Sequence, residues 1–144
     1  MHVAAVLKRK GNAVVTVRAS DTVADVARVL AQHRIGAVLV LDEARRPAGI
    51  LSERDIVRAL AGDGRAALLR PAADLMTRDI VTCQPTDTMA QVMALMTDRR
   101  IRHLPVMDGD RLAGLISIGD AVKARLDDAE LEVESLRGYV AGLG

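Results

Sequence analysis

Apolar residues recur along this chain in two alternating rhythms. Val23, Val26, Ala27 and Leu30 keep the i, i+3, i+4, i+7 spacing of one helix face, and Met89, Val92, Met93 and Met96 keep it again. Thr22 with Asp25, and Thr88 with Gln91, stand at the head of these runs. In such a box the hydroxyl and the third-position side chain satisfy amides left open at a helix start. Short runs rich in Val, Leu and Ile at 14–17, 37–41, 48–51, 80–83, 103–107 and 112–116 predict strands. Polar turns join two pairs of them, DEARRP in one case and the Asp-Gly-containing DGDR in the other. Val3, Val6 and Leu7 ahead of Lys8, Arg9, Lys10 and Gly11 predict a short first helix, and 71–76, opening on Pro71, predicts its counterpart. The order helix, strand, helix, strand, strand, helix therefore occurs twice, which places the chain in the α+β class.

The residues are duplicated along with the pattern. RIGAVLVLDEARRPAGILSERDIV from Arg34 and RIRHLPVMDGDRLAGLISIGDAV from Arg100 match at an offset of 66 and, after a one-residue gap in the turn, of 65. Val15/Val81, Asp21/Asp87, Gly49/Gly114, Ser52/Ser117 and Asp55/Asp120 are among the pairs. An internal repeat of this kind sets the domain division: a first repeat over 1–62, a connecting link over 63–70, a second repeat over 71–126 and a helical extension over 127–144. Two units of about 60 residues are each marginal alone, so the repeats are expected to pack on each other as one module. The segment AGDGRAALLR is too short and apolar for a free tether and reads as a surface link.

Composition narrows what such a module can bind. Half the residues are apolar, yet Phe and Trp are absent and Tyr139 is the only aromatic. The core is therefore aliphatic, and a flat ligand would be held by aliphatic walls and backbone, not by ring stacking. Basic and acidic residues nearly cancel to a net charge of +1, which gives no field to gather nucleic acid or an anionic membrane. The lone Cys83 has no partner for an internal disulfide and reads as a buried, inert thiol. No apolar run reaches the roughly 18 residues that span a bilayer. In MHVAAVLKRKG the charges follow the apolar segment, the reverse of a secretion signal, so a cytoplasmic location is expected.

The last helix, beginning near Ser117, carries Val122, Leu126, Ala129, Val133, Leu136 and Val140 at spacings of 4, 3, 4, 3 and 4. Such a stripe needs an apolar partner, either its own module or a second chain, and a homodimer is expected.

Two constellations have candidate chemistry. Ser52 with Asp55 and Ser117 with Asp120 each follow a strand and open a helix. They read as capping boxes, with the carboxylate suited to the positive helix end. They also read as ligand groups, because a carboxylate at such a turn can accept both hydrogen bonds of a ribose diol. Arg99, Arg100, Arg102 and His103 form a cationic cluster whose counterparts include Gly36 and Ala37, so the second copy has two potential anion ligands that the first lacks. The cluster is either a solvated basic turn or a phosphate site, for which guanidinium forks are well shaped. A Ser117, His103, Asp120 triad is disfavoured, since Ser and Asp three apart on one helix start cap each other and no Gly-x-Ser-x-Gly elbow exists. Metal-ligand spacings and nucleotide-binding glycine loops are also missing, so no catalysis and no metal is expected.

The VVTV and IVTC strands, the RIGAVLV and RIRHLPV stretches, and GILSERD with GLISIGD together resemble the cystathionine β-synthase (CBS) domain family. Their tandem order over nearly the whole chain is similar to a CBS pair, or Bateman module, of the stand-alone kind. The resemblance implies two β-α-β-β-α repeats related by a pseudo-twofold, with a cleft on either side that binds adenosyl ligands such as AMP, ADP, ATP, NAD or S-adenosylmethionine. It implies that Asp55 and Asp120, beside Ser52 and Ser117, take ribose hydroxyls. Thr16 and Thr82 would line the base slot, and the backbone at Ile35 to Ala37 and Ile101 to His103 would read the adenine edge. Arg102 and His103, with Arg54 from the other repeat, would face phosphates. The expectation is a regulatory module that senses adenine nucleotides for an unidentified partner and needs no cofactor. The alternative is a structural dimerisation module with vestigial clefts.

Overall fold

Helix starts and strand alternation are realised in the computed structural model, which describes residues 1–143, with side chains through Val140. The elements are α1 (Val3–Lys10), β1 (Thr16–Arg18), α2 (Val23–His33), β2 (Ala37–Leu41), β3 (Pro47–Ser52), α3 (Glu53–Asp63), a 3-10 helix (Gly64–Leu69), α4 (Ala72–Leu75), α5 (Met89–Arg99), β4 (His103–Asp108), β5 (Arg111–Ser117) and α6 (Ile118–Leu143). They segregate into two compact units, one of residues 13–81 and the other of residues 1–12 with 82–144.

In the unit of residues 13–81 the sheet order is β1-β2-β3, β1 parallel to β2 and β2 antiparallel to β3. The central β2 is buried from Ala37 to Val40, which explains its unbroken apolar run. Val23, Val26 and Leu30 of α2 cover the sheet as the spacing predicts, joined by Val17, Leu51, Ile56, Ala72 and Met76. Thr22 caps α2 by accepting from the Asp25 amide at 3.2 Å, and Arg34 ends it in the left-handed conformation with φ 54°. The segment 61–70 is more than the surface link expected of it. It continues α3 and then tightens into the 3-10 helix, whose Ala67 is fully buried and whose Leu68 packs on the core.

The other unit repeats the scheme with one strand reduced. β4 and β5 pair antiparallel, with a register shift between Val106 and Met107 where the first copy has one between Val40 and Leu41. The expected strand at 80–83 is cut to a single rung: Cys83 donates to the Pro105 carbonyl at 3.0 Å and accepts from the Met107 amide at 2.9 Å. Two prolines explain this. A rung on the N-terminal side would need an amide at Pro105, and Pro85 stands where Ala19 of the first copy donates to the Leu41 carbonyl at 2.9 Å.

The first helices exchange places. α1 belongs with residues 82–144: Val3 and Ala4 donate to the carbonyls of Asp87 and Pro85 at 2.9 and 3.0 Å. Leu7 lies so close over β5 that a Cβ on Gly114 would sit 2.6 Å from its Cδ2. α4 stands in the same relation to residues 13–81, Ala72 and Ala73 donating to Asp21 and Ala19 at 2.7 and 3.0 Å. The division into 1–62 and 71–126 thus follows the duplicated sequence, whereas the compact units interleave it.

The later turns of α6 are largely exposed. Leu126, Leu136 and Val140 of its apolar stripe are 61%, 65% and 68% exposed. No helix among the described residues is long and apolar enough to cross a membrane.

Candidate functional site

Each hairpin ends where a helix begins, and this junction gathers most of the sequence-predicted site. In residues 13–81, Ala37 of β2 lies opposite Ser52 of β3, and the Glu53 amide donates to the Gly36 carbonyl at 2.9 Å. Ser52 donates to Asp55 Oδ2 twice, from its amide at 2.9 Å and its hydroxyl at 3.0 Å, and its Oγ accepts from the Asp55 amide at 3.3 Å. In the other unit His103 lies opposite Ser117, Ile118 donates to the Arg102 carbonyl at 2.8 Å, and Ser117 and Asp120 make the same three bonds at 2.9, 3.0 and 3.2 Å.

The capping reading is therefore realised in both copies, and it leaves something over. Every donor to either carboxylate converges on Oδ2, so among the described residues Oδ1 of Asp55 and of Asp120 accepts nothing. Both side chains are half-buried.

Other predicted residues are placed less tightly. Ile35, Gly36, Ile101 and Arg102 form the turns entering β2 and β4, beside the boxes. Arg34 and Arg100 are helix-ending residues in the left-handed region with φ 54° and 55°. Arg54 and Arg102 are exposed. Thr16 pairs with Leu39 in the middle of β2, and Thr82 precedes the Cys83 rung; both are exposed, and neither takes part in the hydrogen bonds of a box. An open groove of about 930 Å³ in residues 13–81 includes Thr16, but otherwise lies at the Arg18 and Leu41 end of the sheet, away from Ser52 and Asp55. Its lining by Asp21, Asp42, Glu43, Arg18 and Arg45 offers no set of like charges for a phosphate, so the carboxylate turns remain the better site.

The structure adds a residue that the sequence did not reveal. Lys10 Nζ donates to Asp120 Oδ2 at 2.7 Å and to the Leu115 carbonyl at 2.9 Å, and its neighbour Arg9 pairs with Asp127 at 2.7 Å. The run of cations was visible as a helix end; that α1 packs on β5 was not. Burial, which would raise the pKa of Asp120, is outweighed by its hydrogen bonds from Lys10 and Ser117, and the net shift is downward. Burial lowers the pKa of His103, nearby Lys10 and Arg102 lower it further, and Asp120 opposes them. Cys83 is buried and its thiol is pushed up to about 12, chiefly by desolvation with Asp87 adding to it, which disfavours the thiolate. Among the described residues no group of His, Cys, Asp or Glu could hold a metal ion.

A duplicated α+β hairpin-and-helix unit, each copy opening its last helix on Ser-x-x-Asp, is the class these features define. The model of the CBS domain family matches twice, over residues 6–62 and 72–127, and the chain belongs to that family as a CBS pair. It is 36% identical over 126 residues to a mitochondrial CBS domain-containing protein of Arabidopsis thaliana, covering 85% of this chain and 61% of that one. The chain thus spans less than two thirds of that relative. A crystal structure of a CBS-domain protein from Agrobacterium tumefaciens superposes with a TM-score of 0.82 at 47% identity, over 86% of this chain and 92% of that one. The CBS pair of protein MJ0100, solved with 5′-methylthioadenosine and S-adenosyl-L-methionine, shares the fold with a TM-score of 0.76 at 24% identity, over 90% and 98% of the two chains.

Proposed function

We propose that this CBS pair is a non-catalytic sensor of adenine nucleotides or related adenosyl ligands, AMP, ADP, ATP, NAD or S-adenosylmethionine, held at the Ser52–Asp55 and Ser117–Asp120 turns. The observation that carries the reading is the pair of anchored carboxylates. Each is fixed through one oxygen by its own serine and keeps the other for a sugar hydroxyl. The adenosyl ligands of MJ0100 support the ligand class. Adenine edges would be read by backbone near Ile35 to Ala37 and Ile101 to His103, with Thr16 and Thr82 toward the base and Arg54, Arg102 and His103 toward phosphates. The ligand acts as a regulator of an unidentified cytoplasmic partner, and it shifts conformation only by its differential affinity for two states.

Thermal melts of ligand-free protein with a panel of these five compounds test the reading. A ligand at 100 times its dissociation constant adds about 2.7 kcal/mol of apparent stability. A flat response across the panel would end the proposal.

The exposed stripe on α6 favours a second element of the reading, a homodimer joined through this helix, with dimerisation as the whole function if the turns are vestigial. Ending the chain after Arg125 should then convert dimer to monomer by analytical ultracentrifugation. An unchanged sedimentation coefficient would remove the stripe from the interface.

A further inference from the structure

The two carboxylate turns are alike in backbone and differ in whether a cation is bonded to the carboxylate. α1 and α4 are equivalent, because Val3 and Ala72 donate to the repeat-related carbonyls of Asp87 and Asp21. α1 is eight residues long, however, and α4 four. The extra turn delivers Lys10 to Asp120, whereas the equivalent position in the other unit, at the same offset of 69 (72 minus 3), is Asp79. Asp55 accordingly has only Ser52 as a partner among the described residues. Arg102 and His103 are replaced there by Gly36 and Ala37, and the Glu53 carboxylate occupies the space, its Oε1 3.3 Å from where a Cβ on Gly36 would lie. Asp120 thus has the Lys10 ammonium on it and His103 near it, while Asp55 has no cation bonded to it among the described residues.

Lys10 is placed to yield. Its side chain is 36% exposed and that of Asp120 22% exposed, and a pair so open to water holds its partners only weakly. An ammonium has three donors, and two are used. A neutral nucleoside whose diol took the open Oδ1 of Asp120 would leave the ammonium on Oδ2 and offer it no new partner. A phosphorylated one would supply a new anion within reach of the same flexible stem.

Resting on the adenosyl-sensing reading, we propose that Lys10 is the specificity residue of the second-repeat site: it neutralises Asp120 until a ligand arrives and then pairs with that ligand's phosphoryl group. The Asp120 turn therefore selects phosphorylated nucleosides over uncharged ones, and the Asp55 turn lacks this preference.

Titration calorimetry with AMP and adenosine on the full chain tests this, using an Asp55→Ala background so that binding reports the second repeat. Lys10→Met should weaken AMP roughly tenfold or more, as expected for one lost charge-assisted contact, and leave adenosine unchanged or tighter. Lys10→Arg should restore AMP. Lys10→Gln, which keeps a donor for the Leu115 carbonyl, should reproduce the AMP-specific loss if Lys10→Met does not fold. Equal loss of both ligands, or unaltered AMP affinity, overturns the role of Lys10 while leaving the sensing reading standing. Failure of the background protein to bind either ligand overturns both.

Discussion

Asp120 and His103 share a small space and both have their pKa values held below the ordinary range, yet for different reasons. Hydrogen bonds from Lys10 and Ser117 overcome burial at Asp120, and burial itself depresses His103. A group that holds its proton less tightly when folded makes stability rise with pH across the interval between its folded and unfolded values. The His103 contribution is therefore complete above its ordinary value near 6.5 and is lost as pH falls through the folded value; that of Asp120 is complete above about 3.8 and is lost at still lower pH. Thermal melts from pH 8 downward should show two successive declines in Tm. His103→Asn should erase the first and spare the second. A first decline that survives this substitution would assign the neutral-range proton to another group.

Strand and helix contacts show how far the sequence could be read. The capping boxes at Ser52, Thr88 and Ser117, the α2 and α5 faces and both hairpins were legible because each is set by residues within one or two turns of one another, whereas at Thr22 only half the box forms, Asp25 pairing with Arg28 instead. The rung at Cys83 was legible in principle, since Pro85 and Pro105 each remove a ladder donor, but only to a reader who already knew which strands pair. The Gly49 and Gly114 pair was visible as a repeat while its reason was not. Both are sites of close helix approach: a Cβ on Gly114 would meet Leu7 Cδ2 at 2.6 Å, and one on Gly49 would meet Met76 Sδ at 2.6 Å and the Thr77 carbonyl at 2.8 Å. A leucine methyl can rotate away, whereas the Thr77 carbonyl is tied to the Ile50 amide at 3.0 Å. Gly49→Ala should therefore cost more than Gly114→Ala in urea unfolding, within the range of about 1–3 kcal/mol typical of overpacking. The reverse order would show that α1 is the more rigid lid.

At the scale of the whole chain, the feature least accessible to sequence reading is the interleaving. A duplication suggests two contiguous halves, and the family match over 6–62 and 72–127 follows the same logic. What decides the compact units is which carbonyls receive the first amides of α1, and those belong to Pro85 and Asp87, more than eighty residues away. Lys10 was missed for this reason: its chemistry was evident and its address was not. Val3, Val6 and Leu7 are buried in that distant unit, and burying each such side chain stabilises by about 1.5–3 kcal/mol. Removing residues 1–12 should thus take several kcal/mol from residues 82–140, out of the roughly 5–15 kcal/mol typical of a whole domain. Hydrogen exchange distinguishes the units directly. Amides of β4, β5 and α5 should lose protection in the shortened chain while those of β2, β3 and α2 keep theirs, a loss remote in sequence from the cut. Protection lost first or equally in β2 and β3 would mean that α1 serves the repeat it precedes, and Lys10 would then no longer be held at Asp120.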